Sequence, residues 1–165
     1  GSWRLSTEST IPTGGPQQVV SRREKKSFPD YTFPPSGNLA TCQQDPSLDE
    51  ALLREGSRLG VRVIAGQPEL AKKDATYRAE HGRLGTITLK QRSMSPAVRC
   101  MLISHEFIHV LQHLHGDLKG VDSLGWQTTP EGVQRFGSIQ EAEAYRYQNR
   151  AGHVIHLLRQ TPITQ

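Results

Sequence analysis

Three residues in the pattern HExxH are the part of this chain best suited to chemistry: His105, Glu106 and His109. On a helix, positions i and i+4 lie on one face, so both imidazoles can reach a single ion. Neutral imidazole is a good ligand for Zn²⁺, and the adjacent carboxylate can take a proton from a water that the metal polarises. The pattern predicts a zinc site held by the two histidines, with Glu106 as general base.

The segment around these residues favours the metal interpretation over its alternative, a surface histidine pair with a salt-bridging glutamate. Ser95-Pro96 is typical of a helix start, and Gly116 is a natural end. Apolar residues recur between these points at helical spacing, and the HExxH spacer Phe107-Ile108 is itself apolar. The site is therefore expected on an amphipathic helix that faces a core.

The elements before this helix are predicted from caps and alternation. Residues 47–50 read as a capping box, which starts a helix that ends near Leu59 before Gly60. Residues 61–64 and, less clearly, 75–78 have strand character. Residues 84–92 (LGTITLKQR) alternate as a strand that forms a hairpin after a turn at residues 81–83.

After the HExxH helix, residues 116–137 are predicted as one long loop because five glycines and a proline interrupt them. Ser138 then caps a last helix from Ile139 to about Leu158. The expected fold class is α+β, with a small twisted sheet packed on the HExxH helix and on the C-terminal helix.

This motif and this order of elements, over roughly residues 48 to 158, resemble the zincin metallopeptidases. The resemblance implies that the HExxH helix packs under a twisted sheet and that Glu106 has a hydrolytic role. It also implies that an edge strand, here residues 84–92, pairs with the backbone of an extended substrate. The expected function is a zinc-dependent endopeptidase acting on a peptide or protein.

Two alternatives remain at this point. A zincin fold can serve as a regulatory or interaction module with one dedicated partner and little general protease activity. The HExxH pattern can also arise by accident in a protein that binds no metal. The presence or absence of zinc after purification separates the last case from the others.

A catalytic zinc usually has three protein ligands, and Glu141 is the favoured third one. Glu141 with Ala144 resembles the ExxA context in which gluzincins supply a glutamate from a second helix. His115 stands at the third-histidine position of the metzincin pattern, but Gln112 replaces the glycine which that pattern requires. His115 therefore remains a weaker alternative.

Glu143 is the other candidate ligand on the same helix. It lies about 200° around the helix from Glu141, so only one of the two can face the metal. Its nearest charged neighbours along the helix are Arg146 and Arg150, and a surface ion pair is the plainer interpretation.

Stabilisers of the transition-state oxyanion in zincins are often a tyrosine or a histidine near the metal. Tyr145 is assigned to this catalytic role here, and His153 is a second candidate. Trp126, in the long loop, is expected either to line a substrate pocket or to anchor the loop.

Residues 1–45 are predicted to be an extended or disordered arm, rich in proline and carrying a basic cluster at residues 22–26, and residues 46–165 to be the zincin-like domain. The net charge of +4 is mild, and aromatic and basic residues do not interleave as in nucleic-acid binders. No apolar run approaches the roughly 20 residues that span a membrane. Neither nucleic acid nor membrane is therefore an expected partner.

The two cysteines, Cys42 and Cys100, leave three possibilities. They can form one disulfide, remain as two free thiols, or supply a Cys42 thiolate that blocks the open zinc position. A disulfide would slightly favour an extracytoplasmic location.

Overall fold

The computed structural model describes residues 28–163. Within this range the chain forms an α+β fold, as predicted, with five helices and a three-stranded sheet. The elements in chain order are α1 (Leu48–Leu59), β1 (Arg62–Ala65), β2 (Ala75–Glu80), β3 (Arg83–Leu89), α2 (Pro96–His115), α3 (Pro130–Phe136), α4 (Ile139–Tyr147) and α5 (Ala151–Gln160). None of the helices in residues 28–163 has the length and apolar character needed to cross a membrane. The basic cluster at residues 22–26 lies outside the described residues.

The sheet has the order β1-β3-β2, so β3 is its central strand. β2 and β3 form the predicted antiparallel hairpin, whereas β1 pairs with β3 in parallel. The prediction that residues 84–92 form an edge strand is wrong, because Thr86 has Arg62 on one side and Arg78 on the other. Residues 66–74 carry the chain from β1 to the far side of the sheet, and β3 then folds back between its two neighbours. β2 is therefore the edge strand that follows this crossover.

Helix α2 forms the centre of the molecule. Its start agrees with the prediction, since the Ser95 hydroxyl accepts a hydrogen bond from the Val98 amide at 3.2 Å and Pro96 occupies the first turn. The sheet and helices α1, α4 and α5 all pack on α2. Every residue from Ile103 to Leu114 is buried as a result. The HExxH residues are thus held on the most enclosed element of the fold.

The last helix is broken, which the sequence analysis did not predict. α4 ends at Tyr147 and α5 begins at Ala151. Residues 40–42 lie in the break: the Cys42 amide donates to the Asn149 carbonyl at 2.9 Å, and the Gly152 amide donates to the Ala40 carbonyl at 2.8 Å. A Cβ at Gly152 would come within 2.6 Å of that carbonyl oxygen, so glycine permits the close approach. A partner distant in sequence therefore satisfies the backbone groups that the break exposes.

Two other local predictions need correction. The Ser47 side chain does not cap α1; its hydroxyl donates to Asp45 instead, and its backbone is already helical. The predicted loop 116–137 contains the short helix α3, which begins where the Thr129 hydroxyl accepts from the Gly132 amide and Pro130 fills the first turn. The Thr-Pro pair carries the same start signal as Ser95-Pro96, and the surrounding glycines obscured it.

A disulfide joins Cys42 to Cys100 in the first turns of α2. The two other predictions for these cysteines, free thiols and a thiolate on zinc, are therefore wrong. Residues 28–45 contain turns and bends but no helix or strand, and they pack against the folded body. Tyr31 is fully buried there, and its hydroxyl lies 2.6 Å from the Thr161 hydroxyl.

Candidate metal centre

Three predicted ligands lie side by side between α2 and α4. His105 Nε2 is 3.2 Å from Oε1 of Glu141, and His109 Nε2 is 3.1 Å from Oε2 of the same carboxylate. The helical period places the two imidazoles on one face of α2, while Ser138 caps α4 and accepts a hydrogen bond from the Glu141 amide. The three side chains are buried, and their ligand atoms lie within 4.8 Å of one another. This group could hold a metal ion.

The electrostatics of the group favour a positive charge among its ligand atoms. Burial alone would lower the pKa of His109, but the Glu141 carboxylate outweighs burial and raises it. Burial alone would raise the pKa of Glu141, yet the charge of His109 and the hydrogen bonds from both histidines hold that pKa far below its ordinary range. The same attraction would act on a cation bound between the carboxylate and the two imidazoles.

Two glutamines orient the imidazoles from behind. Nδ1 of His105 lies 3.0 Å from Oε1 of Gln148, and Nδ1 of His109 lies 2.7 Å from Oε1 of Gln112. An amide oxygen only accepts hydrogen bonds, so both Nδ1 atoms must carry the proton. Each imidazole therefore presents Nε2 to Glu141, and Nε2 is the nitrogen that would give up its proton to a metal and become the ligand.

Glu106 lies beside this group on α2. Its side chain is buried, and Oε1 has no hydrogen-bond partner within residues 28–163. A buried carboxylate oxygen without a partner costs free energy unless a water, an ion or a ligand satisfies it. Glu106 lines the cleft next to the candidate ligands, where a water or an ion could satisfy this oxygen.

A cleft of about 350 Å³ opens onto two of the three candidate ligands, His105 and Glu141. Its wall includes His105 and Glu106 from α2, together with Lys73, Glu141, Tyr145 and Gln148. Residues 72–75, which lead into the edge strand β2, form the opposite rim. An extended chain lying along β2 would therefore pass the candidate metal ligands.

Tyr145, the predicted oxyanion stabiliser, lies in this cleft. Its ring meets His105 edge-on, with centroids 4.5 Å apart, and stacks on Phe136 at 4.1 Å. The ammonium of Lys73 donates a hydrogen bond to the Tyr145 hydroxyl at 3.0 Å. The structure thus places the phenol next to one candidate ligand and next to a cation.

Glu143 is not the surface residue that the sequence suggested. Its carboxylate is fully buried and accepts hydrogen bonds from the Gln112 side chain and the Ser123 hydroxyl, at 2.9 and 2.8 Å. The backbone amides of residues 124–126 donate to it as well, at 2.8 to 3.1 Å. Arg146 and Arg150 are not among its partners in the described structure. Glu143 therefore anchors the loop after α2 and leaves Glu141 as the ligand candidate.

The remaining candidates lie outside the group. His115 is at the end of α2 and does not join the cluster of possible ligands in residues 28–163. His153 is buried away from the cleft wall, where its Nε2 bonds to the Phe33 carbonyl at 3.2 Å. Trp126 is an anchor, since its indole N–H donates to the Tyr31 carbonyl at 3.1 Å and its ring packs on Tyr147.

Sequence reasoning missed Gln112, Gln148 and Lys73. Gln112 follows His109 by three residues on the same helix, so helical spacing alone could have placed it beside that histidine. Gln148 follows Glu141 by seven residues, which is two helical turns on the same face. Lys73 carries no comparable signal, because it lies in a loop whose path only the folded sheet determines.

Comparison with known proteins adds no relative: no protein-family model, no curated protein and no solved structure matches the chain.

Proposed function

We propose that this chain is a zinc-dependent endopeptidase of zincin type, with a gluzincin-like site formed by His105, His109 and Glu141. The observation that carries the proposal is the convergence of these three buried side chains beside the partnerless carboxylate oxygen of Glu106. Two imidazoles and one carboxylate, with space for a further ligand, are a common donor set for catalytic zinc.

The positions of the protons on His105 and His109 also suit the binding of zinc. The proton on each Nδ1 is held by a glutamine, so the Nε2 atoms remain available as ligands. When bound, zinc would polarise the scissile carbonyl and acidify water in the cleft.

Glu106 is the proposed general base. Its Oε1 would take a proton from the attacking water and pass it to the leaving amide nitrogen, so one carboxylate acts first as base and then as acid. The surrounding helix is buried, which keeps this carboxylate away from bulk solvent. Tyr145 would donate a hydrogen bond from its phenolic hydroxyl to the carbonyl oxygen as negative charge develops there.

The substrate is proposed to bind as an extended strand along β2. Within residues 28–163 only β3 pairs with β2, which leaves the other edge of β2 without a neighbouring strand, and residues 74 and 75 at its start line the cleft. Main-chain hydrogen bonds along that edge would align a scissile bond with the candidate ligands. This replaces residues 84–92 as the substrate strand.

The disulfide supports a further part of the proposal, an extracytoplasmic location. Disulfides persist in oxidising compartments and are rare in the cytosol. Joining Cys42 to Cys100 secures the N-terminal segment to the helix that carries the HExxH residues.

Zinc content by elemental analysis tests the site first. We expect about one zinc per wild-type chain, loss of zinc in Glu141→Ala, and retention in Glu131→Ala, since Glu131 is an exposed glutamate elsewhere. A wild-type protein that takes up no zinc when refolded with the metal would contradict the proposal.

Peptide cleavage tests the chemistry next, on zinc-loaded protein with a fluorogenic peptide library. Glu106→Gln should retain zinc yet lose activity by about 100-fold or more, because only the base is removed. Zinc binding without cleavage of any library member would favour instead a zincin-type module that recognises one dedicated partner.

A further inference from the structure

Lys73 places a cation in the cleft beside the Tyr145 hydroxyl. It lies in the cleft wall just before β2, half-buried, and forms no ion pair with any residue in the described range 28–163. Burial alone would lower the pKa of Lys73, but the hydrogen bond with Tyr145 and the nearby carboxylates of Glu141 and Glu106 outweigh it and raise that pKa. The ammonium therefore stays charged beside the candidate metal ligands.

The hydrogen bond between Lys73 and Tyr145 has a fixed direction. An ammonium has three donors and no acceptor, so the Tyr145 oxygen must accept at this 3.0 Å contact. The hydroxyl proton of Tyr145 must then point away from Lys73. No second partner for this hydroxyl occurs within residues 28–163, and the residue lines the cleft. The proton is thus available to a group bound in the cleft.

The aromatic ring is held so that this direction cannot change easily. Phe136 stacks on one face of Tyr145 with an interplanar angle of 20°, and His105 packs against it edge-on. With the ring fixed, rotation of the O–H bond is the main freedom left to the phenol, and the ammonium restricts that rotation. A hydroxyl that accepts from a cation also becomes a stronger donor, because hydrogen bonds in a chain polarise one another.

We propose that Lys73 is a positioning residue that directs and polarises the Tyr145 hydroxyl toward an oxyanion in the cleft. The proposal rests on the function proposed above and deepens it, because it assigns to Lys73 the orientation of the Tyr145 hydroxyl that would bind the oxyanion. Lys73 and Tyr145 together would recognise an anionic oxygen next to the metal. Such an oxygen belongs to the developing oxyanion of a peptide carbonyl, or to a small metal-binding anion that imitates it.

Acetohydroxamate is a suitable probe because it binds zinc and presents an anionic oxygen without requiring a known substrate. We would titrate it calorimetrically into zinc-loaded wild type, Lys73→Met, Tyr145→Phe and the double variant. Each single variant should weaken binding about tenfold, as expected for a lost charge-assisted hydrogen bond. Zinc content, measured in parallel, should stay unchanged because neither residue offers a ligand to the metal.

The double variant separates action through Tyr145 from simple attraction by a charge. If Lys73 works through the phenol, Lys73→Met should add almost no loss once Tyr145→Phe is present. Lys72→Met is the matched control: it removes an equal charge from the same rim but leaves the Lys73–Tyr145 bond in place, and binding should stay within about twofold of wild type.

Three results would overturn the proposal. They are additive losses in the double variant, unchanged binding by Lys73→Met, and no acetohydroxamate binding by zinc-loaded wild type. In each of these cases the zinc site itself would stand. Failure of the wild type to take up zinc would instead remove the proposed function together with this inference, so the two failures are distinguishable. Should Lys73→Met not fold, Lys73→Ala is titrated in its place and must show the same tenfold loss.

Discussion

Glu141 and Glu143 lie two residues apart on one short helix, and both are buried, but their surroundings have little in common. Glu141 faces two imidazole nitrogens at the edge of a cleft. Glu143 faces five hydrogen-bond donors, three of them backbone amides of the loop that follows α2. The Glu141 carboxylate can therefore still bind a ligand, whereas hydrogen-bond donors of the protein already surround the Glu143 carboxylate.

The difference shows how a buried carboxylate acquires its role. A carboxylate whose lone pairs are all occupied by protein donors is stable without any ion and has no site left for one. A carboxylate opposed by two imidazoles attracts protons or a metal. Gln112 connects the two regions, because its amide nitrogen donates to Glu143 while its oxygen accepts from His109.

The largest effect should come from Glu143→Ala. Its removal leaves several buried donors without an acceptor, and we expect the free energy of unfolding to fall by about 4 kcal/mol. Urea unfolding in the presence of a chelator measures this without any contribution from metal. The exposed control, Glu131→Ala, should change stability by no more than about 0.5 kcal/mol.

Glu141→Ala, measured in the same way with a chelator present, should lower the free energy of unfolding clearly less than Glu143→Ala does. The reason is that the two histidine partners of Glu141 can become neutral when the carboxylate is removed. Equal losses of unfolding free energy in the two variants would show that the two carboxylates do not differ in how the fold depends on them.

A smaller effect is expected at the connection between the regions. Gln112→Leu removes the bond that orients His109 and one bond to Glu143, so it should weaken zinc binding about 10- to 100-fold and also reduce stability. Gln148→Leu removes only the bond to His105. It should weaken zinc binding by a similar factor while leaving the unfolding free energy of the chelated protein within about 1 kcal/mol. Competition with a chelating dye gives the zinc affinity of both. Identical stability losses would mean that Gln112 does not couple the regions.

The smallest effect concerns His113, one turn beyond His109 on α2. Burial lowers the pKa of His113 to about 4, although hydrogen bonds with the backbone of Glu80 and Leu118 oppose this. Below about pH 6.5 the unfolded chain therefore binds a proton that the folded chain refuses. Stability should fall as the pH falls toward 4, by about 1 kcal/mol between pH 7 and pH 5.5.

His113→Gln tests this assignment by denaturant unfolding at both pH values. The variant should lack this share of the acid sensitivity, even if its stability at pH 7 is lower because the 2.8 Å contact between His113 and the Tyr77 hydroxyl has changed. An unchanged pH dependence in the variant would show that another group titrates.

Local signals in the sequence predicted what depends on neighbours along the chain. The HExxH spacing and the Ser95 and Ser138 caps each involve residues no more than four positions apart, and the structure has these caps. The hairpin of β2 and β3 was predictable for the same reason, since a short turn joins two alternating strands.

Long-range contacts determined what the sequence could not predict. The central position of β3 depends on how β1 returns to the sheet, and the break after Tyr147 depends on residues 40–43, more than 100 positions earlier. Helical angles separated Glu141 from Glu143, but nothing in the pattern indicated that a loop would supply donors to Glu143. Lys73 likewise meets Tyr145 only in the folded chain, 72 positions away.

The break between α4 and α5 has a consequence for the order of folding. The backbone of Asn149 and Gly152 finds its partners in residues 40–43, so the two ends of the described chain must meet before the last two helices are secured. Contacts of such sequence separation form slowly, because a long loop must close before any of them stabilises the chain. We expect the helix that carries Glu141 to settle late, so zinc uptake during refolding would report the final steps of assembly and not the early ones.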